Sequence, residues 1–111
     1  MNRIDKINAE ITRQLAEMIN YEMNDPRLSG GMVSVLRSDT TTDLKHCKVY
    51  VSVMGIDGNE ALKALTNAAG HFKSNLAKKL TIRTVPDIKF ILDDSIEYSI
   101  HLTELLNKMK K

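Results

Sequence analysis

The stretch Asn59–Arg83, NEALKALTNAAGHFKSNLAKKLTIR, decides how the rest of this 111-residue chain is interpreted. Apolar residues recur in it every three or four positions, at Leu62, Leu65, Ala69, Phe72, Leu76 and Leu80. This spacing predicts an amphipathic helix. Glycine weakens a helix and frees the backbone to bend. We therefore predict two helices, or one kinked helix, meeting at Ala68-Ala69-Gly70.

The face opposite this apolar stripe carries polar or positively charged side chains around Gly70, which leaves the backbone uncovered. On a straight helix it would carry Lys63, Asn67, Gly70, His71, Ser74 and Lys78. Residues 60–83 include five basic residues and one acidic residue, whereas residues 84–107 include one basic and five acidic residues. The sequence thus predicts a polarised surface whose basic part suits a negatively charged backbone. Ordinary solvation of an amphipathic helix explains the same lysines equally well.

The composition is that of one globular domain, residues 1–111, with 42% apolar residues, 27% charged residues and a net charge of +2. So small a charge does not by itself imply nucleic acid. The single cysteine, Cys47, permits no internal disulfide and fits a reducing compartment. The first ten residues lack the apolar run of a signal peptide, and no segment is apolar enough to span a membrane. We expect a cytoplasmic protein that makes no membrane contact.

The other periodic segments predict an α+β protein with the order α-β-β-α-kink-α-β-α. A first helix from about Asn2 to Glu22 is predicted by the apolar stripe Ile4, Ile7, Ile11, Leu15, Met18 and Ile19. Three alternating segments predict strands at Met32–Asp39, Leu44–Met54 and Asp87–Leu92, the first two forming a hairpin. Asn59 is a candidate N-cap of the central helix, and residues 96–109 predict a last helix. The helices would cover one three-stranded sheet.

No converging set of catalytic groups is visible in the sequence. His46 and Cys47 are adjacent, but neighbouring residues of a strand point to opposite faces. Cys47 shares its face with Val49, Val51 and Val53, so we expect it to be buried and structural. The histidines lack metal-ligand spacing, and Asp93-Asp94 has no accompanying phosphate-binding loop and fits a helix cap better. We predict no enzymatic activity, metal site, cofactor or small-molecule substrate.

Nucleic-acid binding is better supported. A glycine at a bend lets a phosphate approach, and the free N–H groups at the start of the following helix suit an anion. The order of elements puts this bend where type II KH domains keep their GXXG phosphate clamp. Phe72 and Phe90 fit the core pattern and Trp is absent, so base stacking is not expected. Phosphate and shape contacts would dominate, and the affinity should fall with salt.

Several short motifs resemble the ribosome-binding factor A family and follow its order along nearly the whole chain. They are Asp25-Pro26-Arg27-Leu28, Asp43-Leu44, Val49-Tyr50-Val51-Ser52-Val53-x-Gly55, Ala68-Ala69-Gly70, Leu80-x-x-Arg83-x-x-Pro86 and Phe90-x-x-Asp93-x-Ser95-Ile96. The resemblance implies a KH type II-like domain in which the Ala68-Ala69-Gly70 kink replaces the GXXG loop. It also implies binding to the 30S ribosomal subunit, through 16S rRNA, during late maturation and rRNA processing, often linked to growth in the cold. Cys47 and Ser99 stand where the family commonly has Ala and Gly.

We assign the RNA contacts to the kink and the helix that follows it. The candidate residues are Asn67, Ala68, Ala69, Gly70, Lys73, Ser74, Lys78, Lys79 and Arg83. Gly70 would allow close approach of the backbone, the basic residues would supply charge, and Ser74 and Asn67 would make polar contacts. We expect a non-catalytic monomer. Two other interpretations stay open: a generic KH-type RNA-binding protein, and a protein-interaction module whose basic helix docks on an acidic protein surface.

Overall fold

The order of helices and strands agrees with the sequence prediction. The structure is a computed structural model and describes residues 2–23, 25–80, 82 and 84–93. Its elements are α1 (Arg3–Glu17), β1 (Met32–Thr40), β2 (His46–Met54), α2 (Gly58–Asn67), α3 (Ala69–Lys79) and β3 (Asp87–Leu92). Residues 94–111, with the predicted last helix and the lysine tail, lie outside the described residues, as does Arg83.

The first helix begins at a side-chain cap and changes its winding before it ends. The Asn2 side chain accepts the Asp5 N–H at 2.8 Å, which satisfies a free donor of the first turn. After Glu17 the chain continues as a π-helical turn, Met18–Glu22, so the segment predicted as one helix has two parts. One face of the whole segment is buried, through Ile7, Ile11, Leu15, Met18 and Ile19.

The three strands form one mixed sheet in the order β1-β2-β3. β1 and β2 pair antiparallel, which confirms the predicted hairpin, and β2 and β3 pair parallel. A parallel pair needs a long crossover, and here α2 and α3 provide it. The connection begins with Asp57, whose carboxylate accepts the N–H groups of Asn59 and Glu60 at 2.8 and 3.2 Å. Asp57 is therefore the N-cap of α2, and the prediction of Asn59 was wrong by two residues.

A bulge interrupts the register of β1 at Leu36. Val35 pairs with Val51 and Arg37 pairs with Tyr50, so Leu36 is an extra residue with no partner of its own on β2. A bulge of this kind reverses the alternation of the residues that follow it. Beyond Leu36, Ser38 and Thr40 therefore face the helices, whereas Arg37 lies on the opposite face of the sheet.

The two faces of the sheet differ in chemistry. The inner face, which packs against the helices, carries Val33, Val35, Ser38, Thr40, Cys47, Val49, Val51, Val53 and Phe90. The outer face carries Arg37 and Asp39 from β1, Lys48 and Tyr50 from β2, and Lys89 and Ile91 from β3. Cys47 is 1% exposed among the valines of β2, which confirms its predicted place in the core. The core thus lies between one side of the sheet and the three helices.

Candidate nucleic-acid interface

The two central helices meet at Ala68. α2 ends at Asn67 and α3 begins at Ala69, and Ala68 between them has φ −89° and ψ −1°. The predicted kink is therefore present, but it lies two residues before Gly70, where the glycine was expected to form it. Gly70 is the second residue of α3 and does not adopt the positive φ of Gly30 and Gly55. The bend arises where the last turn of α2 closes on Ala68, whose N–H bonds to Ala64 and Leu65 carbonyls.

The backbone at the start of α3 is open on its outward side. Gly70 is exposed, and a Cβ atom added to it would meet no atom within 4 Å. The helix has no side-chain cap, because its N-cap residue is Ala68. Helix N-termini carry free N–H groups and a partial positive charge. Ala68 and Ala69 are half-buried against the core, so these two candidates position the turn and present little side chain to a ligand.

The polar face predicted for the helix pair is exposed throughout. All six of its residues lie at the surface: Lys63, Asn67, Gly70, His71, Ser74 and Lys78. The opposite stripe contributes Leu65, Phe72 and Leu76 to the core. His71 is held by Asn75, with 3.0 Å between His71 Nε2 and Asn75 Nδ2. The kink thus keeps both halves of the polar face turned outward.

The three lysines of α3 are not equivalent. Lys73 Nζ lies 2.6 Å from Asp87 Oδ1, and Lys79 Nζ lies 3.5 Å from Glu22 Oε1. Lys78 is exposed and makes no ion pair with any residue that the structure describes. Both pairs are largely solvent-exposed, and such pairs contribute little and exchange partners readily. Lys78 is therefore available to bind an anion, whereas Lys73 and Lys79 would first have to leave their carboxylate partners.

A groove beside the kink contains residues to which sequence reasoning gave no role. A cavity of about 350 Å³ lies between Ala68, His71 and Phe72 on one side and the end of the first helical segment with Asp25-Pro26 on the other. Asp25 accepts hydrogen bonds from its neighbour Arg27, at 3.1 Å from Nε and 2.8 Å from Nη2. These bonds lower the pKa of Asp25. Asp25 and Pro26 therefore form part of one wall of the groove, and only the folded chain brings them across from Ala68 and His71.

The side chains of His46 and Cys47, which were considered for catalysis, do not lie together. His46 is exposed at the start of β2, whereas Cys47 points into the core. Burial is the main cause that raises the pKa of the Cys47 thiol, which works against a nucleophilic thiolate. Within the part of the chain that the structure describes, His, Cys, Asp and Glu do not form a group of three suited to a metal ion.

Phe72 and Phe90 lie in the core as predicted, whereas Tyr50 makes a contact that was not predicted. Phe72 and Phe90 are buried and pack edge to face, with ring centroids 5.7 Å apart. No partner was predicted for Tyr50. In the structure the guanidinium carbon of Arg37 lies 4.2 Å from the centroid of the Tyr50 ring. The bulge at Leu36 creates this pair, and no simple alternation of β1 would have predicted it.

Taken with the α-β-β-α-α-β order, the kinked helix pair over a three-stranded sheet defines a KH-like domain. The model of the family described as ribosome-binding factor A matches residues 3–106. The chain belongs to the ribosome-binding factor A family. This family is named for ribosome binding and not for a reaction, in agreement with the predicted absence of enzymatic activity.

Individual relatives support the same assignment. Ribosome-binding factor A of Acetivibrio thermocellus is 40% identical over 110 residues, which cover 97% of this chain and 89% of the relative. The crystal structure of ribosome-binding factor A from Thermus thermophilus superposes with a TM-score of 0.73 at 28% identity, covering 80% of this chain and 93% of that one. A Thermus thermophilus homology model fitted into a cryo-EM map of a 30S complex gives 0.66 at 29% identity, with 78% and 91% covered. These neighbours confirm the predicted KH-like fold.

Each helix that the structure describes is too short or too polar to span a bilayer.

Proposed function

We propose that this protein binds the free 30S ribosomal subunit through 16S rRNA and assists late maturation and rRNA processing without catalysing a reaction. Family membership carries the proposal, and a homology model from the same family has been fitted into a map of a 30S complex. The exposed N-terminus of α3 and the lysines of this helix provide the groups that would bind the RNA backbone. The protein would hold one transient rRNA conformation by binding it more tightly than the alternatives, and would then dissociate.

The start of α3 is the proposed phosphate contact. Gly70 leaves the backbone uncovered, and Asn67 and Ser74 lie exposed on either side of it in the sequence. A phosphate approaching there would meet free N–H groups and the positive end of a helix. Ala68 and Ala69 keep this turn at its angle by packing against the core.

The lysines supply the charge in this proposal. Lys78 is available without rearrangement, whereas Lys73 and Lys79 would exchange Asp87 and Glu22 for phosphates. Arg83 remains part of the proposed site, although it lies outside the described residues. Binding dominated by such contacts should weaken steeply as salt is added, by a slope of roughly 0.7 per single-stranded phosphate contacted.

We further propose that the protein is a cytoplasmic monomer with a role in growth in the cold. The one cysteine is free and buried, which suits a reducing compartment. Cold favours RNA secondary structure that must be resolved before the subunit is complete, so loss of the gene product should slow growth and 30S maturation most at low temperature.

Co-sedimentation with free 30S subunits tests the proposal. The Lys78→Glu/Lys79→Glu protein should bind at least about tenfold more weakly, because both charges are reversed next to phosphates. Arg3→Glu/Lys6→Glu is the matched control, since it changes the net charge equally in the first helix. Circular dichroism must show that both variants remain folded. Binding by Lys78→Glu/Lys79→Glu at the parent level would refute the assignment of these lysines.

The protein-interaction alternative predicts a different result. A partner retained on the immobilised protein after ribonuclease treatment would favour it, whereas a partner lost with the RNA favours the rRNA proposal. A free oligonucleotide that binds as tightly as assembled subunits would instead indicate a generic KH-type RNA-binding protein.

A further inference from the structure

The outer face of the sheet is a second charged surface, separate from the helix pair. None of the described helices covers it, and Arg37, Lys48 and Lys89 are all exposed there. The strand register places the carboxylates of Asp39 and Asp87 on the same face. Asp39 is the register partner of Lys48, and Asp87 at the start of β3 already receives Lys73 from α3. Among the described residues, the face therefore carries an excess of positive charge.

Two of these cations are neighbours across the sheet. Lys48 on β2 and Lys89 on β3 are register partners in the parallel pair. Adjacent strands lie about 4.8 Å apart, and like charges placed opposite each other destabilise a sheet. A purely structural role would be better served by a lysine and a glutamate at these positions. Asp39 is the register partner of Lys48 on its other side, so Lys89 is the member of the pair without an acidic register partner, and an anion over the pair would relieve the repulsion.

Arg37 adds a flat surface beside the two lysines. Its guanidinium group lies over the Tyr50 ring at 4.2 Å, and Tyr50 is the register partner of both Arg37 and Ile91. The tyrosine ring thus holds the guanidinium group close to the sheet. Unpaired RNA bases stack on aromatic rings and on arginine planes, and their phosphates pair with nearby lysines.

We propose that the outer face binds an unpaired RNA strand, with a base stacked on the Arg37 guanidinium group and phosphates held by Lys48 and Lys89. The inference rests on the proposed function, since the strand would belong to the same rRNA that α3 contacts. The Lys73–Asp87 pair links α3 to the first residue of β3, two residues before Lys89, so the two surfaces adjoin at this strand. A protein segment bound to this face would need acidic side chains opposite these cations. The cleavage experiment distinguishes such a segment from RNA.

The Lys89→Glu variant separates this role from a structural one. It replaces the like-charged pair with an opposite-charged pair, so the melting temperature should equal or exceed that of the parent. Affinity for 30S subunits should nevertheless fall by roughly tenfold, since two units of charge change beside a phosphate. Arg3→Glu, an equal change of charge in α1, should leave the affinity near the parent value.

Directed cleavage of the rRNA identifies the occupant. Lys89→Cys, labelled with an iron chelate, places a source of hydroxyl radicals on the outer face, while the native Cys47 is too buried to be labelled. Cuts in unpaired rRNA near the label, absent when the label is on Glu17→Cys of α1, support the proposal. Cuts confined to paired rRNA, or cleavage of a ribosomal protein near the label with no cut in the rRNA, would overturn it.

The outcomes separate the two proposals. If the unaltered protein fails to sediment with 30S subunits, the proposed function is wrong and this inference falls with it. If the unaltered protein binds and Lys89→Glu binds equally well, only the role of the outer face is refuted.

Discussion

Lys73 and Asp87 join the basic helix to the sheet: Lys73 Nζ on α3 lies 2.6 Å from Asp87 Oδ1 at the first residue of β3. The lysine's hydrogen bond is the main cause that lowers the pKa of Asp87 from its ordinary value of 3.8. The pair therefore contributes to stability above that value, and the contribution is lost as the pH falls through the lowered pKa of the folded state. Because both side chains are largely exposed, the effect on stability is small.

Asp87→Asn should strengthen binding to 30S subunits. The substitution removes the carboxylate that competes with phosphate for Lys73, and the exposed pair contributes little to the fold. We expect an affinity gain of about two- to fivefold at low salt that shrinks as salt screens the charges. Lys73→Ala should weaken binding under the same conditions. An Asp87→Asn protein that binds less well than the parent would contradict a role for Lys73 in contacting RNA.

Gly70→Ala should stabilise the fold and weaken binding. The added Cβ meets no atom within 4 Å, and alanine is better than glycine in a helix by roughly 0.5–1 kcal/mol. Urea unfolding should show this gain, whereas 30S co-sedimentation should fall if a phosphate lies against the bare backbone. Ala77→Gly, at an exposed position of the same helix, should lose stability and keep binding. Unchanged binding by Gly70→Ala would show that no phosphate lies against the bare backbone at Gly70.

Asn8→Ala should destabilise the protein. The Asn8 side-chain oxygen accepts the backbone N–H and the hydroxyl of the buried Thr40, at 2.9 and 2.5 Å, and so fastens α1 to β1. Without it, both donors lose their partner, at a cost of about 1–3 kcal/mol. Asn8→Asp keeps an acceptor at the same place and should lose much less. Equal midpoints of urea unfolding for both variants would show that water replaces the bond.

Cys47 should be inert in the folded protein. It is 1% exposed and burial raises the pKa of its thiol, so a thiol reagent such as Ellman's should react only after unfolding. Cys47→Ala should lower the free energy of unfolding on the order of 1 kcal/mol, through lost packing. Its binding to 30S subunits should equal that of the parent. Rapid reaction of the native protein would show that β2 opens locally.

The strands and the helix order could be predicted because their signals are local. β3 was predicted with the bounds that the structure shows, Asp87–Leu92, from its alternation alone. β2 was predicted two residues too long because Leu44 and Lys45 form the hairpin turn, where Leu44 takes a φ of 62° and the Lys45 N–H bonds to Asp43. A preference for β structure does not reveal that a residue will be needed in a turn.

The candidate site was predictable only as a list of surface residues. Helical periodicity correctly identified the exposed face of α2 and α3, since a helix fixes which residues share a side. It could not show that Lys73 and Lys79 have acidic partners, which lie 14 and 57 residues away in the sequence. The bend was also assigned to Gly70. A glycine marks a place where a helix can break, but it does not show that the helix breaks there.

The extra residue at Leu36 has a consequence for how such chains can vary. If Leu36 instead paired with Tyr50 and the bulge were lost, every later residue of β1 would turn over, exposing the Ser38 and Thr40 hydroxyls to water and driving Arg37 into the layer beneath α1. Thr12 and Asn8, which bond to Ser38 and Thr40, would face a cation in place of two hydroxyls. Deleting Leu36 would leave Arg37 opposite Tyr50 and these faces unchanged. At that end of the sheet, the side on which positive charge appears depends on whether one residue of β1 is left out of the pairing, independently of which amino acids are present.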